Sequence, residues 1–495
     1  MKNFYFNIAK IGGANYLSKA IFVLQNIILA NILGPALLGV WKTLQIILHY
    51  VIYSHFGSVS GMNIEIPFLN AKKEYKKKHE LINEIFTFVF ISIFIVSILI
   101  FLLVSITSFL DVLFLQRISL LLFLLIIVNQ VAFFFQNLIL AERKFNLRSR
   151  VLVLNALLSL VFPLIFAYYW EILGLVLGLV IAQIITIFYI YARAKTSIKL
   201  RTKLVRVKNT IRLGFPIVLK GVVNRFYMTI DKIMVLVFLG VSSLGFYGVA
   251  ISITDILRDI PKSAGQVIAP YIYEAYGKSK KKVDMIRYFE SLIDIFSFII
   301  PYLLIVISVG FPIFIKLLLP AYEESIVAGQ ILTISMFWVI LNVGLGNYII
   351  AIGKQWNLVA ISLITALISL VGNYIFLTMG YNIEGVALAT GITYIFYFKF
   401  LYCFVMKDYG VGFSNMFKKF GRMYFAFFIN LTIVIIILNI FDFNIFAISS
   451  IIGVIITWLL FTCLNLPFFI HVNKKTNFYK RLMTALKYKI GGKDV

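Results

Sequence analysis

Long apolar runs of about 20 residues recur along this chain from residue 11 to residue 470. In α-helix, a run of that length crosses the roughly 30 Å hydrocarbon core of a bilayer. Composition agrees, because 61% of the residues are apolar and 13% are charged, against about 25% charged in a soluble domain. The runs also lack the alternating pattern of an outer-membrane β-barrel. The sequence therefore predicts an all-α polytopic membrane protein and excludes a soluble fold.

Hydropathy divides the chain into about fourteen candidate membrane-spanning helices, named spans 1 to 14 below. Their predicted limits are 10–33, 37–61, 82–108, 117–140, 150–169, 172–192, 212–239, 245–270, 290–315, 326–351, 357–378, 385–406, 422–440 and 445–468. The first run is too long for the core of a signal peptide and no small-residue cleavage site follows it. We therefore interpret it as a retained span.

Basic residues in the connections predict the orientation. Nearly all of them fall on the side that holds the N-terminus and every second connection, whereas the opposite side has Arg117 and Lys316. We expect both termini in the cytoplasm and an even number of spans. The net charge of +26 is then a topology signal and an attraction to anionic lipids, not a nucleic-acid site. Cys403 and Cys463 lie in apolar runs and form no metal or disulfide spacing.

Two pairs of segments indicate an internal duplication. Leu33–Trp41 reads LGPALLGVW and Leu239–Tyr247 reads LGVSSLGFY, 206 residues further on. Asn137–Lys144 (NLILAERK) and Asn347–Lys354 (NYIIAIGK) are offset by 210 residues. One pair alone also fits two hairpins that each need glycine. Two pairs in the same order at nearly one offset favour duplication.

Each repeat contains six spans, so both repeats have the same orientation and should be related by an axis along the membrane normal. The predicted domains are an N-lobe over 1–200 with spans 1–6, a C-lobe over 201–410 with spans 7–12, and spans 13–14 with a basic tail over 411–495.

Ionisable residues inside the spans concentrate on spans 1, 2, 7 and 8, and such residues are functional candidates because charge is costly in hydrocarbon. Lys19 and Arg225 are equivalent at the 206-residue offset, and neither has an acidic residue three or four positions away. We predict a water-filled cationic cavity between the two halves, holding an anionic substrate. The candidate substrate-binding residues are Lys19, Arg225, Lys220, Arg258, Lys42, Asn26 and Tyr227. The candidate ion-coupling residues are Asp231, Asp255 and Asp259, and we predict no catalytic residue, bound metal or cofactor.

Simpler interpretations exist for several of these residues. Asp255, Arg258 and Asp259 also fit pairs that only stabilise their helix. Lys42 also fits a side chain that reaches the outer interface. His49 fits a hydrogen-bonded core histidine better than a proton carrier.

The spans in a 6+6+2 arrangement, LGPALLGVW after span 1, and FYMTIDKIMVLVFLGVSSLGFYGVA across spans 7 and 8 resemble the Wzx-type polysaccharide flippases of the MOP exporter superfamily. The resemblance implies two six-helix lobes with a central cationic cavity. It implies a substrate of undecaprenyl-diphosphate-linked oligosaccharide, moved across a bacterial cytoplasmic membrane by alternating access for capsule, O-antigen or exopolysaccharide assembly. Asp231 and Leu239–Tyr247 match the family pattern directly. The substrate-binding role is assigned to Lys19 and Arg225 only because of their position and charge.

The same resemblance leaves the coupling to Na⁺, H⁺ or the membrane potential alone open. We expect a monomer in contact with membrane lipids, with polysaccharide polymerase machinery as a candidate partner. Two alternatives stay open within the superfamily. A lipid II flippase would differ only in the glycan of its substrate. A cation-coupled MATE-type multidrug exporter is expected to have a carboxylate in span 1, where this chain has Lys19. An enzyme is disfavoured because the outer connections are short and hold no paired catalytic constellation.

Overall fold

The computed structural model describes residues 2–106, 112–194, 198–201, 205–279, 282–440, 453 and 455–465. Over those ranges the chain forms helices and no β-strand. The α-helices are α1 Lys2–Val51, α2 Ser58–Ala71, α3 Tyr75–Ile106, α4 Val112–Ala141, α5 Phe145–Ala194, α6 Val207–Tyr227, α7 Ile230–Leu257, α8 Asp259–Ser279, α9 Lys282–Leu318, α10 Ser325–Ile340, α11 Leu345–Ala351, α12 Gln355–Thr378, α13 Ile383–Tyr409, α14 Phe413–Ile440 and α15 Ile455–Asn465. Short 3₁₀ helices cover Ile52–His55 and Pro320–Tyr322.

Helix α5 is a hairpin of two spans. Its 50 residues would measure about 75 Å if straight, far more than a bilayer core. The backbone instead reverses at Trp170 and Glu171, where Glu171 has φ 48°. The Thr186 hydroxyl lies 3.2 Å from the Asn155 side-chain oxygen, joining the two arms. The two ends of α5 therefore lie on the same side, as predicted for spans 5 and 6.

The turns in α1 and α7 have nearly the same backbone conformation. Gly34 has φ 68° and ψ 174°, and Gly240 has φ 87° and ψ −177°. This region of backbone space is almost restricted to glycine, because a Cβ would clash there. In α7 the Tyr247 hydroxyl donates to Asp231 Oδ2 at 3.0 Å across the turn. The first glycine of each repeated motif thus makes the reversal between two spans.

The second glycine of each motif makes a reciprocal contact with the other copy. A Cβ on Gly39 would lie 1.9 Å from the Val241 carbonyl oxygen, and a Cβ on Gly245 would lie 1.9 Å from that of Pro35. At the 206-residue offset, Pro35 corresponds to Val241 and Gly39 to Gly245. The two contacts are therefore the same contact related by a local two-fold axis, as expected for duplicated halves.

The second repeated pair also shares its local structure. The turn after α4 contains Arg143 at φ 57°, and the turn after α11 contains Gly353 at φ 75°. The next residue in each turn is a lysine that reaches the end of a later helix. Lys144 Nζ donates to the carbonyl oxygen of Ala194 at 2.8 Å, and Lys354 Nζ lies 2.7 Å from Asp408 Oδ1. Both sequence repeats therefore correspond to repeated structure.

Ten of the described helices are long and apolar enough to cross a membrane. Because α1, α5 and α7 turn back on themselves, predicted spans 1 to 13 lie on described helices, except residues 107–108 of span 3, which lie outside the described residues. Span 14 is described mainly over Ile455–Asn465, and the predicted basic tail lies outside the described residues. The prediction of a helical, polytopic fold is confirmed.

Contacts group the chain into two compact units, 1–248 and 249–495. In the first unit, Leu81, Ile139 and Ile190 belong to a buried core shared by α3, α4 and α5. In the second unit, Tyr302 of α9 stacks on Phe461 of α15 with ring centroids 5.2 Å apart. The limits 1–200, 201–410 and 411–495 remain predictions.

We expect Gly39→Ala to destabilise the protein by about 1–3 kcal/mol, because the added methyl overlaps a backbone oxygen that cannot rotate away. Thermal unfolding of the purified protein in detergent measures the loss. The matched control is Gly13→Ala, whose methyl would meet no atom within 4 Å. Since alanine favours helix, the control should be neutral or slightly stabilising. Equal stability of the two variants would show that the glycine contact is not tight.

Candidate functional site

Span 7 is broken close to its middle. Helix α6 ends at Tyr227 and α7 begins at Ile230, within the predicted span 212–239. At the break, the carbonyl oxygen of Arg225 accepts hydrogen bonds from the Met228 N–H and the Thr229 hydroxyl, both at 3.0 Å. Interrupted helices within a membrane place polar backbone groups and helix ends at depth, where transporters bind charged ligands. The break therefore marks a candidate site.

Three predicted site residues surround this break. Arg225 and Tyr227 are half-buried at the end of α6, and Asp231 is buried in the first turn of α7. A carboxylate is favoured at a helix N-terminus, where the N–H groups point toward it. Asp231 Oδ2 accepts the Tyr247 hydroxyl, while Oδ1 is buried without a hydrogen-bond partner among the described residues. A buried carboxylate oxygen without a partner is costly, which leaves Asp231 a candidate ligand for a cation.

Span 2 packs against the break. The Tyr50 hydroxyl lies 2.6 Å from Thr229 Oγ1, within hydrogen-bond distance. The Tyr53 ring covers Gly221, where a Cβ would lie 2.9 Å from Cε1 of the ring. Tyr50 and Thr229 do not stand out in the sequence. Their pairing depends on the break in span 7, which the sequence does not signal.

Span 2 is itself interrupted between α1 and α2. Phe56 and Gly57 have φ 48° and 100°, and the buried His55 accepts the Gly57 N–H on Nδ1 at 3.0 Å. The His55 ring also stacks on Phe133, with centroids 5.7 Å apart. His55 thus satisfies a backbone donor freed by the bend. Among the described residues no group of histidine, cysteine, aspartate and glutamate side chains could hold a metal ion.

Lys19 and Asn26 lie on span 1, away from its packed face. Ala14 and Gln25 are buried, and the Ser18 hydroxyl donates to the Leu152 carbonyl of α5 at 3.1 Å. Lys19 follows Ser18 by one position, about 100° around the helix, and is exposed. Its Nζ lies 6.0 Å from the centre of the Tyr16 ring. Asn26 Nδ2 donates to the carbonyl oxygen of Phe22 at 2.8 Å.

The two other candidate binding lysines of the first unit, Lys42 and Lys220, differ in environment. Lys42 is half-buried, and a Cβ on Gly248 would lie 2.8 Å from its Cε. Gly248 is the equivalent of Lys42 in the second repeat, so this lysine lies close to the local two-fold axis. Lys220 is exposed on α6, just before the glycine that Tyr53 covers. The aliphatic part of Lys42 is therefore fixed by packing, whereas Lys220 is more open.

In the second unit, Arg258 lies at the break between α7 and α8. Pro261 predicts a bend in span 8, and α7 ends at Leu257, whose carbonyl a proline at 261 cannot bond. One guanidinium nitrogen of Arg258 lies 3.4 Å from Asp255 Oδ1, and another donates to the Tyr394 hydroxyl at 2.9 Å. Asp259 is half-buried in the first turn of α8. The Asp255–Arg258 contact supports the simpler interpretation of this pair as a helix-stabilising one.

The structure therefore gathers Arg225, Tyr227 and Asp231 around one helix break and brings Arg258 to Asp255. Lys19, Asn26, Lys42 and Lys220 are placed on the same spans as predicted. Their roles in substrate or ion binding remain predictions. The sequence does not identify Tyr50, Thr229, Tyr247 and Tyr394 as partners of these groups, since each contact joins residues distant in the chain or across a turn.

Comparison with known families matches residues 5–275 to the family described as "Polysaccharide biosynthesis protein". The match covers more than half of the chain, including the break in span 7. No curated protein matches the full sequence.

Solved structures share the fold at low sequence identity. The lipid II flippase MurJ, in an inward closed conformation, superposes with a TM-score of 0.69 and 15% identity, covering 93% of this chain and 99% of that one. An inward-facing MATE family multidrug resistance transporter gives a TM-score of 0.62 and 16% identity, covering 79% and 94%. A MOP superfamily transporter from Pyrococcus furiosus, described with a binding pocket of reverse polarity, superposes with a TM-score of 0.57 and 14% identity. The match covers 82% of this chain and 95% of that one.

These solved structures are membrane transporters and flippases, and this chain shares their fold. They also agree with the many apolar helices of a multi-pass membrane protein. The chain therefore belongs to the polysaccharide biosynthesis protein family, and its fold is similar to those of the lipid II flippase MurJ and of a MATE family transporter of the MOP superfamily.

Proposed function

We propose that this protein moves undecaprenyl-diphosphate-linked oligosaccharide from the cytoplasmic to the outer leaflet of a bacterial cytoplasmic membrane, with both termini in the cytoplasm. The observation that carries the proposal is the concentration of basic side chains on spans 1, 2 and 7 of a polysaccharide biosynthesis family member. These residues are Lys19, Lys42, Lys220 and Arg225. Cations within a span are costly and are retained where they serve an anionic ligand.

Chemistry at the span 7 break suits a diphosphate. The guanidinium of Arg225 can hold two phosphate oxygens at once, and the lysines add point charges. Tyr227, Tyr53 and Asn26 offer hydroxyl, aromatic and amide groups that can bind a sugar. Export of about two negative charges across an inside-negative membrane gains about 2.3 kcal/mol per charge per 100 mV, so the potential favours this direction.

A lipid II flippase is the second candidate, favoured by the MurJ-like fold over almost the whole chain. Both substrates would carry the same diphosphate lipid, and the glycan alone would distinguish them. A MATE-type drug exporter is less well supported, since span 1 has Lys19 where a coupling carboxylate would be expected.

Deleting the gene tests the substrate. We expect lipid-linked oligosaccharide to accumulate in the inner leaflet, because its synthesis continues while export stops. Mass spectrometry of extracted lipids identifies the glycan. The control is the deletion strain complemented with the wild-type gene, which should not accumulate it. Accumulation of lipid II in place of a polysaccharide unit would select the second candidate.

We expect Arg225→Ala to abolish transport and Arg225→Lys to keep part of it, because lysine retains the charge but loses the bidentate geometry. Export of the accumulated lipid-linked glycan in complemented cells measures this, with membrane insertion checked by immunoblot. Arg212→Ala is the matched control, since Arg212 is an exposed residue three turns earlier, before the candidate site on α6. Normal export by a correctly inserted Arg225→Ala variant would contradict the proposed role of Arg225.

Asp231 is our candidate for ion coupling. We expect Asp231→Asn to remove any dependence of transport on a Na⁺ or H⁺ gradient while transport driven by the membrane potential persists, because the amide cannot carry a proton or a compensating charge. Reconstituted vesicles with each gradient imposed separately give the measurement. Tyr247→Phe, which removes the hydroxyl that donates to Asp231, should keep the dependence and shift its midpoint. A gradient dependence unchanged in Asp231→Asn would exclude this carboxylate.

A further inference from the structure

A basic cavity lies at the open end of the α5 hairpin, away from the span 7 break. Its volume is about 350 Å³, and it is lined by Arg143, Lys144, Phe145, Leu147, Arg150 and Arg193, with Asn146. Arg143 and Lys144 come from the turn after α4, and Arg150 from the second turn of α5. Arg193 comes from the last turn of α5. The hairpin therefore brings residues from both of its ends into one cavity at the edge of the membrane.

The charge of this cavity is not balanced from within. Among the described residues, none that lines it is acidic. The nearby Glu142 pairs with Lys78, whose Nζ lies 2.9 Å from Oε1, and with Lys144 of the cavity lining, whose Nζ lies 2.5 Å from Oε2. Burial alone would raise the pKa of Glu142, but the two lysines outweigh burial and lower it. Three arginines thus remain to attract an anion.

Local contacts fix part of this arrangement. Lys144 Nζ donates to the Ala194 carbonyl at 2.8 Å, which holds the two ends of the hairpin together. The Arg193 guanidinium lies 6.0 Å from the centre of the Tyr189 ring, one turn earlier on the same helix. The first turn of α5 also directs backbone N–H groups toward this end, which favours an anion.

An apolar face leads away from the cavity along the first arm of α5. Between residues 151 and 167 the exposed residues are Leu157, Val161 and Ile165. They follow Arg150 by seven, eleven and fifteen positions, so all four lie within about 80° on one side of the helix. A molecule held here would meet cations at the membrane edge and hydrocarbon-compatible side chains below. This combination fits a lipid better than a free anion.

We infer that this cavity is a binding site for the phosphate headgroup of an anionic membrane lipid, with an acyl chain along the Leu157, Val161 and Ile165 face. Basic pockets between spans at a membrane surface are suited to such headgroups. Arginine forks can bind two phosphate oxygens, while the apolar face supplies contact for the chain. The site lies within the first unit and does not rest on the proposed function.

Native mass spectrometry of the full-length protein in detergent tests the inference, with dioleoyl phosphatidylglycerol as the probe. We expect Arg150→Gln with Arg193→Gln to weaken binding by at least about tenfold, since two charge-assisted contacts are lost. The matched control is Lys72→Gln with Lys76→Gln, which removes two exposed cations outside the cavity and should change binding less than twofold. Equal losses in both double variants would show attraction to general surface charge and overturn the site.

Two further probes separate the possible ligands. Dihexanoyl phosphatidylglycerol should bind more weakly than the dioleoyl lipid, because its short chains cannot cover the apolar face. Inorganic diphosphate should compete only weakly. Equal binding of the short-chain lipid, or displacement of the long-chain lipid by diphosphate at micromolar concentration, would identify a free-anion site and overturn the lipid assignment. Thermal unfolding of each variant confirms that it is folded.

Discussion

The contact between backbone atoms at Gly39 with Val241 and at Gly245 with Pro35 sets the geometry of the first unit. It leaves no room for a side chain on either glycine, so the two copies of the repeated motif approach as closely as helices can. The preceding glycine in each copy makes the turn that brings the second glycine to this position. Each motif therefore encodes a turn and a contact together, which explains why both glycines recur at one spacing.

A contact made by backbone and glycine also differs from one made by interlocking side chains. Glycine adds no side chain to this contact, so it brings backbone against backbone rather than burying apolar side chains. The buried side-chain core of this unit lies instead among α3, α4 and α5.

Interrupted spans impose the second constraint. Hydrocarbon offers no hydrogen bonds, so each break must be satisfied by neighbouring side chains. At the break in span 7 the Thr229 hydroxyl donates to the Arg225 carbonyl, and in span 2 the ring of His55 accepts a backbone N–H. These residues are polar for structural reasons. Among the contacts described, the side chains of the neighbouring cations Arg225 and Lys220 do not bond a backbone group at either break. This distinguishes the candidate binding residues from the residues that stabilise the breaks.

The sequence predicts much of this fold because hydropathy and glycine act locally. Span limits, the turns at Gly34 and Gly240, and the duplication follow from runs, motifs and offsets. The break at Arg258 is signalled by Pro261, whose missing N–H frees the Leu257 carbonyl. No proline follows the break in span 7 at a comparable distance, so the hydropathy pattern predicts one continuous helix there. Contacts such as Tyr50 with Thr229 depend on packing between spans and cannot be seen in one sequence.

Comparing the two repeats position by position shows where they have diverged. At the 206-residue offset Asp231 corresponds to Gln25 and Tyr247 to Trp41, and all four side chains are buried, between 0% and 8% exposed. The duplicated positions have kept their burial and polarity, but only the second copy carries a carboxylate there. Lys19 and Arg225, by contrast, are cationic in both copies. The repeats therefore keep a cation at one pair of equivalent positions and differ in charge at another, where the second repeat has a carboxylate and the first an amide.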